Sequence, residues 1–455
     1  MSRLPGPRGL RQQLQLARQL HADPHTALLR MRHDYGPVLE FGRGTYKYIY
    51  VLSPEANEHI LATDPQNFTW KEAFQPLVAV NGETALVVSD GEEHQRRRRL
   101  VQPAFHIRRI SSYLEIMSEE TNRVIDTWRK GTVVDAYAAY RVAIRRIVLR
   151  CLFGPELHTL DDRIGEELEI CLAYVNRPPL QRLDWNIPGL AYRRVRAARA
   201  NLDQIIFAEI TRRRATTSTS DDILGWLLES QADDALTDQE VRDQVVSLIA
   251  AGYDTTASTM GWITARLTTD PEHSRRIRAE VDDAGGINPI TIETLSKLPY
   301  TAAFVKEALR AYPPAIWSGR TVTSSFDLHG HTIPAGEKVL FSPYVTHHLP
   351  DEFPSPDAFR PGRWIDGDPH QHSSHPYAYI PFGGGPRRCL GFAFATQELI
   401  TMTAIHAFRT RSELAASHFP TPAGTMSNAP AGGVQLHIRN QVPHRPTLKK
   451  SDETR

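Results

Sequence analysis

Lysine is scarce in this chain. Eight stand against forty-five arginines in 455 residues, and acids offset them to a formal net charge of +1. With Arg scattered along the chain, that balance gives no bulk reason to expect a nucleic-acid partner. Cysteine is scarcer still: Cys151, Cys171 and Cys389 are too few for a disulfide framework and fit a reducing cytoplasm. No apolar run is long enough to cross a bilayer, and Met1 to Leu20 is too rich in Arg and Gln for a signal peptide. A cytoplasmic protein without a transmembrane anchor is expected. The chain also lacks an internal repeat, a cysteine cluster for iron–sulfur and a Gly-x-Gly-x-x-Gly leading into a helix, so it carries no dinucleotide or iron–sulfur module of its own. What is there is ordinary: 41% apolar and 23% charged residues, a globular balance.

The local pattern is mostly helical. Pro37 to Phe41 and Tyr46 to Leu52 read as a hairpin turned at Gly42-Arg43-Gly44, and Ser53-Pro54 as a capped helix start. Residues 102–214 follow a helical pattern, interrupted at Gly154-Pro155 and Arg177-Pro178-Pro179, and 216–222 is a polar connection. Thr237-Asp238-Gln239-Glu240 is a capping box that opens a helix running to about Leu267. At 1.5 Å per residue it is ~45 Å long, long enough to cross a whole domain, so it should be central. Its middle, Ala251-Gly252-Tyr253-Asp254-Thr255-Thr256, is poor helix material, since Gly costs ~1 kcal/mol and Asp and Thr compete for backbone hydrogen bonds. A weak centre in a well-capped helix points to function, or to a tolerated irregularity. A later helix carries Glu307 and Arg310 three apart and stops at Tyr312-Pro313-Pro314. Short strands follow at Thr321 to His329 and Lys338 to Ser342. The His-rich loop 368–375 reads as a solvated segment rather than a metal site.

The chemistry concentrates in Pro381-Phe382-Gly383-Gly384-Gly385-Pro386-Arg387-Arg388-Cys389-Leu390-Gly391-Phe392-Ala393. Glycines and a proline build a tight loop that delivers a cysteine to the start of a helix, Phe392 to Ile405. The helix dipole, nearby N–H groups and Arg387 favour thiolate there. A lone cysteine is otherwise a small buried hydrophobe, or a nucleophile needing a His partner that sequence cannot locate.

Phe382, Gly385, Arg387, Cys389 and Gly391 resemble the F-x-x-G-x-R-x-C-x-G loop of the cytochrome P450 superfamily. Glu307 and Arg310 resemble its E-x-x-R helix, and Ala251, Gly252, Asp254, Thr255 and Thr256 its A/G-G-x-D/E-T-T/S segment. Phe359, Pro361, Arg363 and Trp364 resemble F-x-P-x-R-F/W, with Gly362 where an acid is common. His94 and Arg98 resemble the bacterial H-x-x-x-R. The pieces come in the family's order over nearly residues 30–440.

The resemblance implies a mainly α fold with small β-sheets. A single domain, 26–442, would hold haem b (iron protoporphyrin IX) between the long helix and the cysteine loop. Residues 1–25 would be an N-terminal extension and 443–455 a polar tail. It implies Cys389 as iron ligand, with Phe382 and Gly391 also at the cofactor, and His94, Arg98, Arg320 and Arg387 on the haem propionates, any of Arg96 to Arg99 being able to serve. It implies Glu307, Arg310 and Arg363 as a buried network worth ~3–5 kcal/mol when broken; an exposed pair would be worth under ~1 kcal/mol. Asp254 and Thr255 would deliver protons for O2 activation in a helix that opens slightly. An apolar substrate would meet the loop Phe74 to Val88, including Val88 itself, then Leu248, Ala251, Ala315 to Ser318 with Ile316, and Met426, under a lid at 178–189. Electrons would come from a ferredoxin and an NAD(P)H-dependent ferredoxin reductase docking near Arg388 and part of the Arg96 to Arg99 run. A haem-thiolate isomerase or peroxygenase and a non-catalytic haem protein remain as alternatives.

Overall fold

Residues 4–154, 157–175, 191–216, 221–229, 235–365, 375–424 and 427–443 are described by the computed structural model. The chain opens with α1 (Leu10–Ala22) and α2 (Pro24–Tyr35), then the antiparallel pair β1 (Val38–Phe41) and β2 (Tyr48–Val51), turned where the glycines stand. Ser53 caps α3 (Pro54–Glu58), its Oγ accepting from the Ala56 N–H at 3.2 Å. Next come β3 (Phe68–Thr69), α4 (Gln75–Asn81), α5 (Gly91–Val101), α6 (Ile107–Asp126), β4 (Val133–Asp135), α7 (Ala136–Phe153) and α8 (Asp161–Val175). The middle of the chain forms α9 (Ala191–Ala215), α10 (Ile223–Leu228), α11 (Asp238–Thr269), α12 (Pro271–Asp283), α13 (Ile292–Ser296) and α14 (Pro299–Ala311). Four strands follow, β5 (Ser318–Val322), β6 (Phe326–Leu328), β7 (His331–Ile333) and β8 (Lys338–Phe341), then α15 (Pro343–His347) and α16 (Phe392–Arg409). The chain closes with β9 (Thr410–Leu414), β10 (Pro422–Ala423), β11 (Ala429–Pro430) and β12 (Gln435–Gln441).

Among the described residues the strands form one five-stranded sheet, ordered β1-β2-β8-β5-β3, a three-stranded sheet β4-β12-β9 and two hairpins. In the larger sheet only the β2–β8 pair is parallel. That sheet lies beside the helices, with its own apolar cluster around Val38, Ile49, Phe68 and Val339.

The capping box at Thr237 is realised, Thr237 and Glu240 each bonding the other's backbone. The helix that follows is central: 21 of the 32 residues of α11 are buried. It packs on α7, α16 and α14. Gly261 allows a close crossing, because a Cβ there would stand 2.9 Å from both the Tyr137 ring and Pro430. The helix runs as α through Ala251 to Thr256. Thr255 satisfies its side chain inside the turn, Oγ1 donating to the Ala251 carbonyl at 2.6 Å.

Pro7 and Leu16 are buried, the Glu40 N–H donates to Pro5 O, and Gln13 accepts from the Gly42 N–H, so α1 is laid against the β1–β2 hairpin. β12 ends at Gln441, and 444–455 lie outside the described residues, as do the expected lid at 178–189 and the His-rich stretch 368–374. No helix among the described residues is long and apolar enough to cross a membrane.

Candidate active site

The cysteine loop is held by backbone geometry. Gly383 and Gly385 take φ of +67° and +58°, and a Cβ on Gly385 would overlap the Leu61 carbonyl. Any L side chain is therefore strained and obstructed there. The Cys389 N–H donates to Phe382 O at 2.9 Å, closing the loop, and α16 starts at Phe392. Cys389 lies deep in the protein, its thiol accessible from the cavity it lines. Burial holds the free thiol above its usual pKa; the Gly391 N–H, Arg98 and Arg388 pull the other way and do not win.

Cys389 borders a cavity of about 1130 Å³. From α11 it receives Gln244, Ser247, Leu248, Ala251, Gly252 and Thr255, a stripe at three- and four-residue spacing. Phe382 and Gly391 line the cysteine end, and Ala315 lines the side next to β5. Two expected pocket residues do not line it. Val88 is buried while Leu86 and Val87 face the space, and Ile316 packs into the core near β8 while Ala315 and Trp317 flank it in the wall. Met426 lies outside the described residues.

His94, Arg98, Arg320 and Arg387 all reach this cavity. Arg320 is 2% exposed and has no ion-pair partner among the described residues; it bonds Ser318 Oγ and the Gly319 carbonyl and sits 3.5 Å from the Trp70 ring centroid. Arg387 pairs with Asp90 at 2.7 Å, and Arg98 donates to the Arg388 carbonyl at 2.9 Å. Burial weakens proton affinity at each: Arg320 is held well below its usual value with Arg387 adding repulsion, Arg387 down to about 10 although Asp90 pulls it up, and His94 down to about 3 with Arg387 and Arg98 beside it. Among the described residues only Arg387 of these four has a carboxylate ion-pair partner, Asp90. A flat ligand carrying two carboxylates supplies the missing negative charge, so these residues fit a haem with its propionates.

The neighbouring arginines are spoken for. Arg96 and Arg97 both bond Glu240, and Arg97 also bonds Ser89, so Arg98 is the member of the run that turns to the cavity. Arg96 and Arg97 are thus both engaged within the protein. Arg388 is exposed, with its guanidinium over Phe392 at 3.8 Å.

The family sequence model described as Cytochrome P450 matches residues 5–417 of this chain. The chain belongs to the cytochrome P450 family. A putative cytochrome P450 139 of Mycobacterium tuberculosis is 36% identical over 92% of the chain and 98% of its own length. The cyclooctat-9-en-7-ol 5-monooxygenase of Streptomyces melanosporofaciens is 32% identical over 83% of each. The solved structure of a retinoic acid bound cyanobacterial CYP120A1 superposes with a TM-score of 0.82 at 24% identity, covering 90% of this chain and 93% of that one. The protein is accordingly an oxidoreductase of P450 monooxygenase type with the mainly α P450 fold, and its family uses haem iron.

Behind the cysteine loop of this P450 the acid–arginine network is fully buried. Glu307, Arg310 and Arg363 are each 0% exposed. Arg310 bonds both Glu307 oxygens at 2.9 Å, Arg363 Nε lies 3.1–3.2 Å from them, and the Arg360 N–H donates at 2.8 Å. Trp364 Nε1 adds a fifth donor at 2.9 Å. Gly362, where the family often has an acid, contributes no side chain to it.

The acid and alcohol of α11 part company. Thr255 lines the cavity; Asp254 does not, and its carboxylate faces Arg141 of α7 at 3.7 Å, which itself lies 3.7 Å from Glu169. Burial raises the Asp254 pKa despite Arg141, because the charged form loses more hydration than one long contact returns. Sequence reasoning missed Arg141, Asp90 and Trp70. Each lies in an unremarkable stretch and gains its place from tertiary contacts.

Proposed function

We propose that this P450 inserts one oxygen atom of O2 into a lipophilic small molecule, by hydroxylation or epoxidation, with haem b held by Cys389. The observation that carries the reading is a deep cysteine thiol at the end of an apolar cavity that His94, Arg98, Arg320 and Arg387 also reach, with Arg387 alone of the four ion-paired among the described residues. Bound haem supplies dioxygen activation with electron push from the thiolate. Arg98, Arg320, Arg387 and His94 bind the propionates, while Phe382 and Gly391 pack at the cysteine side. Asp254, on the Arg141–Glu169 side of α11, and Thr255, which lines the cavity, serve proton delivery, with Thr255 as the member that meets the reacting oxygen. The Thr255 hydroxyl, which donates to the Ala251 carbonyl, would turn from it to donate into the cavity.

The substrate is a predominantly hydrocarbon molecule. Leu77, Leu248, Ala251 and Ala315 offer dispersion and exclude water, and two similar proteins are named cyclooctat-9-en-7-ol 5-monooxygenase and cyclooctatin synthase. A ring-bearing alcohol of that kind is the first compound class to screen. Electrons arrive from a ferredoxin and its NAD(P)H-dependent reductase, with Arg388 meeting an acidic face. Three free cysteines fit a cytoplasmic setting.

The test is the carbon monoxide difference spectrum of the dithionite-reduced protein. A strongly red-shifted Soret band that disappears in Cys389→Ser is expected. A band of the histidine-ligated kind in the unaltered protein would remove Cys389 as ligand and overturn the reading.

A further inference from the structure

The cavity roof is formed by residues 74–87, of which Phe74, Pro76, Leu77, Leu86 and Val87 face the space. Its helix, α4, has seven residues, too few to be stable alone. Its last carbonyls would ordinarily turn to water. Instead two arginines from other helices take them. Arg199 of α9 donates from Nη1 to Val78 O and Ala79 O at 3.4 and 3.3 Å. Arg242 of α11 donates to Asn81 O at 3.0 Å and to Val80 O at 3.4 Å. The negative end of a helix and two cations are also matched in charge.

Arg242 is itself fixed. It is 0% exposed, its Nε bonds Asp203 of α9 at 2.5 Å, and its Nη1 bonds Asp243 at 2.9 Å. The other Asp243 oxygen accepts from the Thr84 N–H and hydroxyl at 3.0 and 2.7 Å. Gln244 accepts from the Leu86 N–H at 2.9 Å and donates to Thr84 O at 2.8 Å. Gly82, at φ +93°, lets the Asp243 carboxylate lie against the backbone where a Cβ would overlap it. The roof is thereby tied to the first turns of α11 from Val80 to Leu86, and to α9 at Val78 and Ala79. Neither Arg242, Arg199, Asp203 nor Asp243 lines the cavity.

We infer that Arg242, seconded by Arg199, is a positioning residue that sets the height of the roof and so the affinity for ligands large enough to touch Phe74 and Leu77. The inference rests on the reading of this cavity as the substrate site. It acts through α4, not on the reacting atoms. A small ligand of the haem iron never reaches the roof and is indifferent to the clamp.

The experiment compares imidazole with econazole, a bulky azole, on the haem-loaded protein by optical titration, in Arg242→Met, Arg199→Ala and Arg242→Lys. Hydrogen–deuterium exchange of residues 74–88 is followed in parallel. Arg242→Met and Arg199→Ala are expected to weaken econazole at least tenfold and imidazole less than twofold. Amides 78–86 should exchange at least tenfold faster and be re-protected by econazole. Arg242→Lys, which keeps the charge without the fork, should fall between. Equal losses for both azoles, or unchanged econazole binding with unchanged exchange, would overturn the inference. If Arg242→Met does not fold, Arg199→Ala decides, since Arg199 is one-third exposed and holds no carboxylate wholly buried. If the unaltered protein binds no haem, the function reading fails, while exchange at 78–86 still tests the clamp.

Discussion

Replacing Glu307 by alanine removes one carboxylate that five donors share: two from Arg310 and one each from Arg363, Trp364 and the Arg360 N–H. Two guanidiniums would then stay buried with only backbone carbonyls for partners, at His347, Pro354 and Ala358. Breaking such a buried arrangement costs about 3–5 kcal/mol, because the orphaned charges cannot recover their hydration. Over 455 residues, an unfolding entropy of ~2.1 cal/mol/K per residue gives about 1 kcal/mol per degree, so Tm should fall by roughly 3–5 °C. Glu307→Gln keeps the shape and one acceptor and should lie at the lower end. Far-UV circular dichroism melts of haem-loaded protein measure this directly. A pair worth what an exposed salt bridge is worth, under ~1 kcal/mol, would shift Tm by less than 1 °C. That result for Glu307→Ala would refute the claim that burial and donor count set the strength of this network.

Other expectations follow from single contacts. Thr255→Ala should raise hydrogen peroxide release and lower product formed per NAD(P)H consumed several-fold; unchanged coupling removes Thr255 from proton delivery. Gly385→Ala meets the Leu61 carbonyl at positive φ, so it should displace the cysteine loop and cut haem occupancy, read as the ratio of Soret to protein absorbance. His406, fully buried with its Nδ1 2.6 Å from the Tyr140 hydroxyl, is held by burial down to about 3 against 6.5 unfolded. The unfolded chain thus binds one more proton between those values, and stability, level above pH 6.5, falls as pH drops through the window by up to ~1.4 kcal/mol per unit for this group. In His406→Gln, urea melts from pH 7 to 5 should show a slope shallower by one proton; an unchanged slope would mean His406 is not titrating as burial requires.

The sequence by itself determined whatever depends on residues near one another along the chain. The Gly-rich cysteine loop, the Thr237 capping box, the Ser53 cap and the three-residue spacing of Glu307 and Arg310 are local geometry, set by allowed φ values and helical pitch. Tertiary structure decided what depends on which way a side chain turns. Val88 and Leu86 are equally apolar, but their positions on one turn send only the second into the cavity. Arg98 could not be told from Arg96 or Arg97 until Glu240, 143 residues from Arg97, claimed those two. Asp254 and Thr255 are adjacent in sequence, yet a step of about 100° around the helix puts one against Arg141 and the other in the cavity. Hydrogen bonds between distant segments carry no local signature, so the partners of Asp254 and the arginine clamp on α4 emerge only when the helices pack.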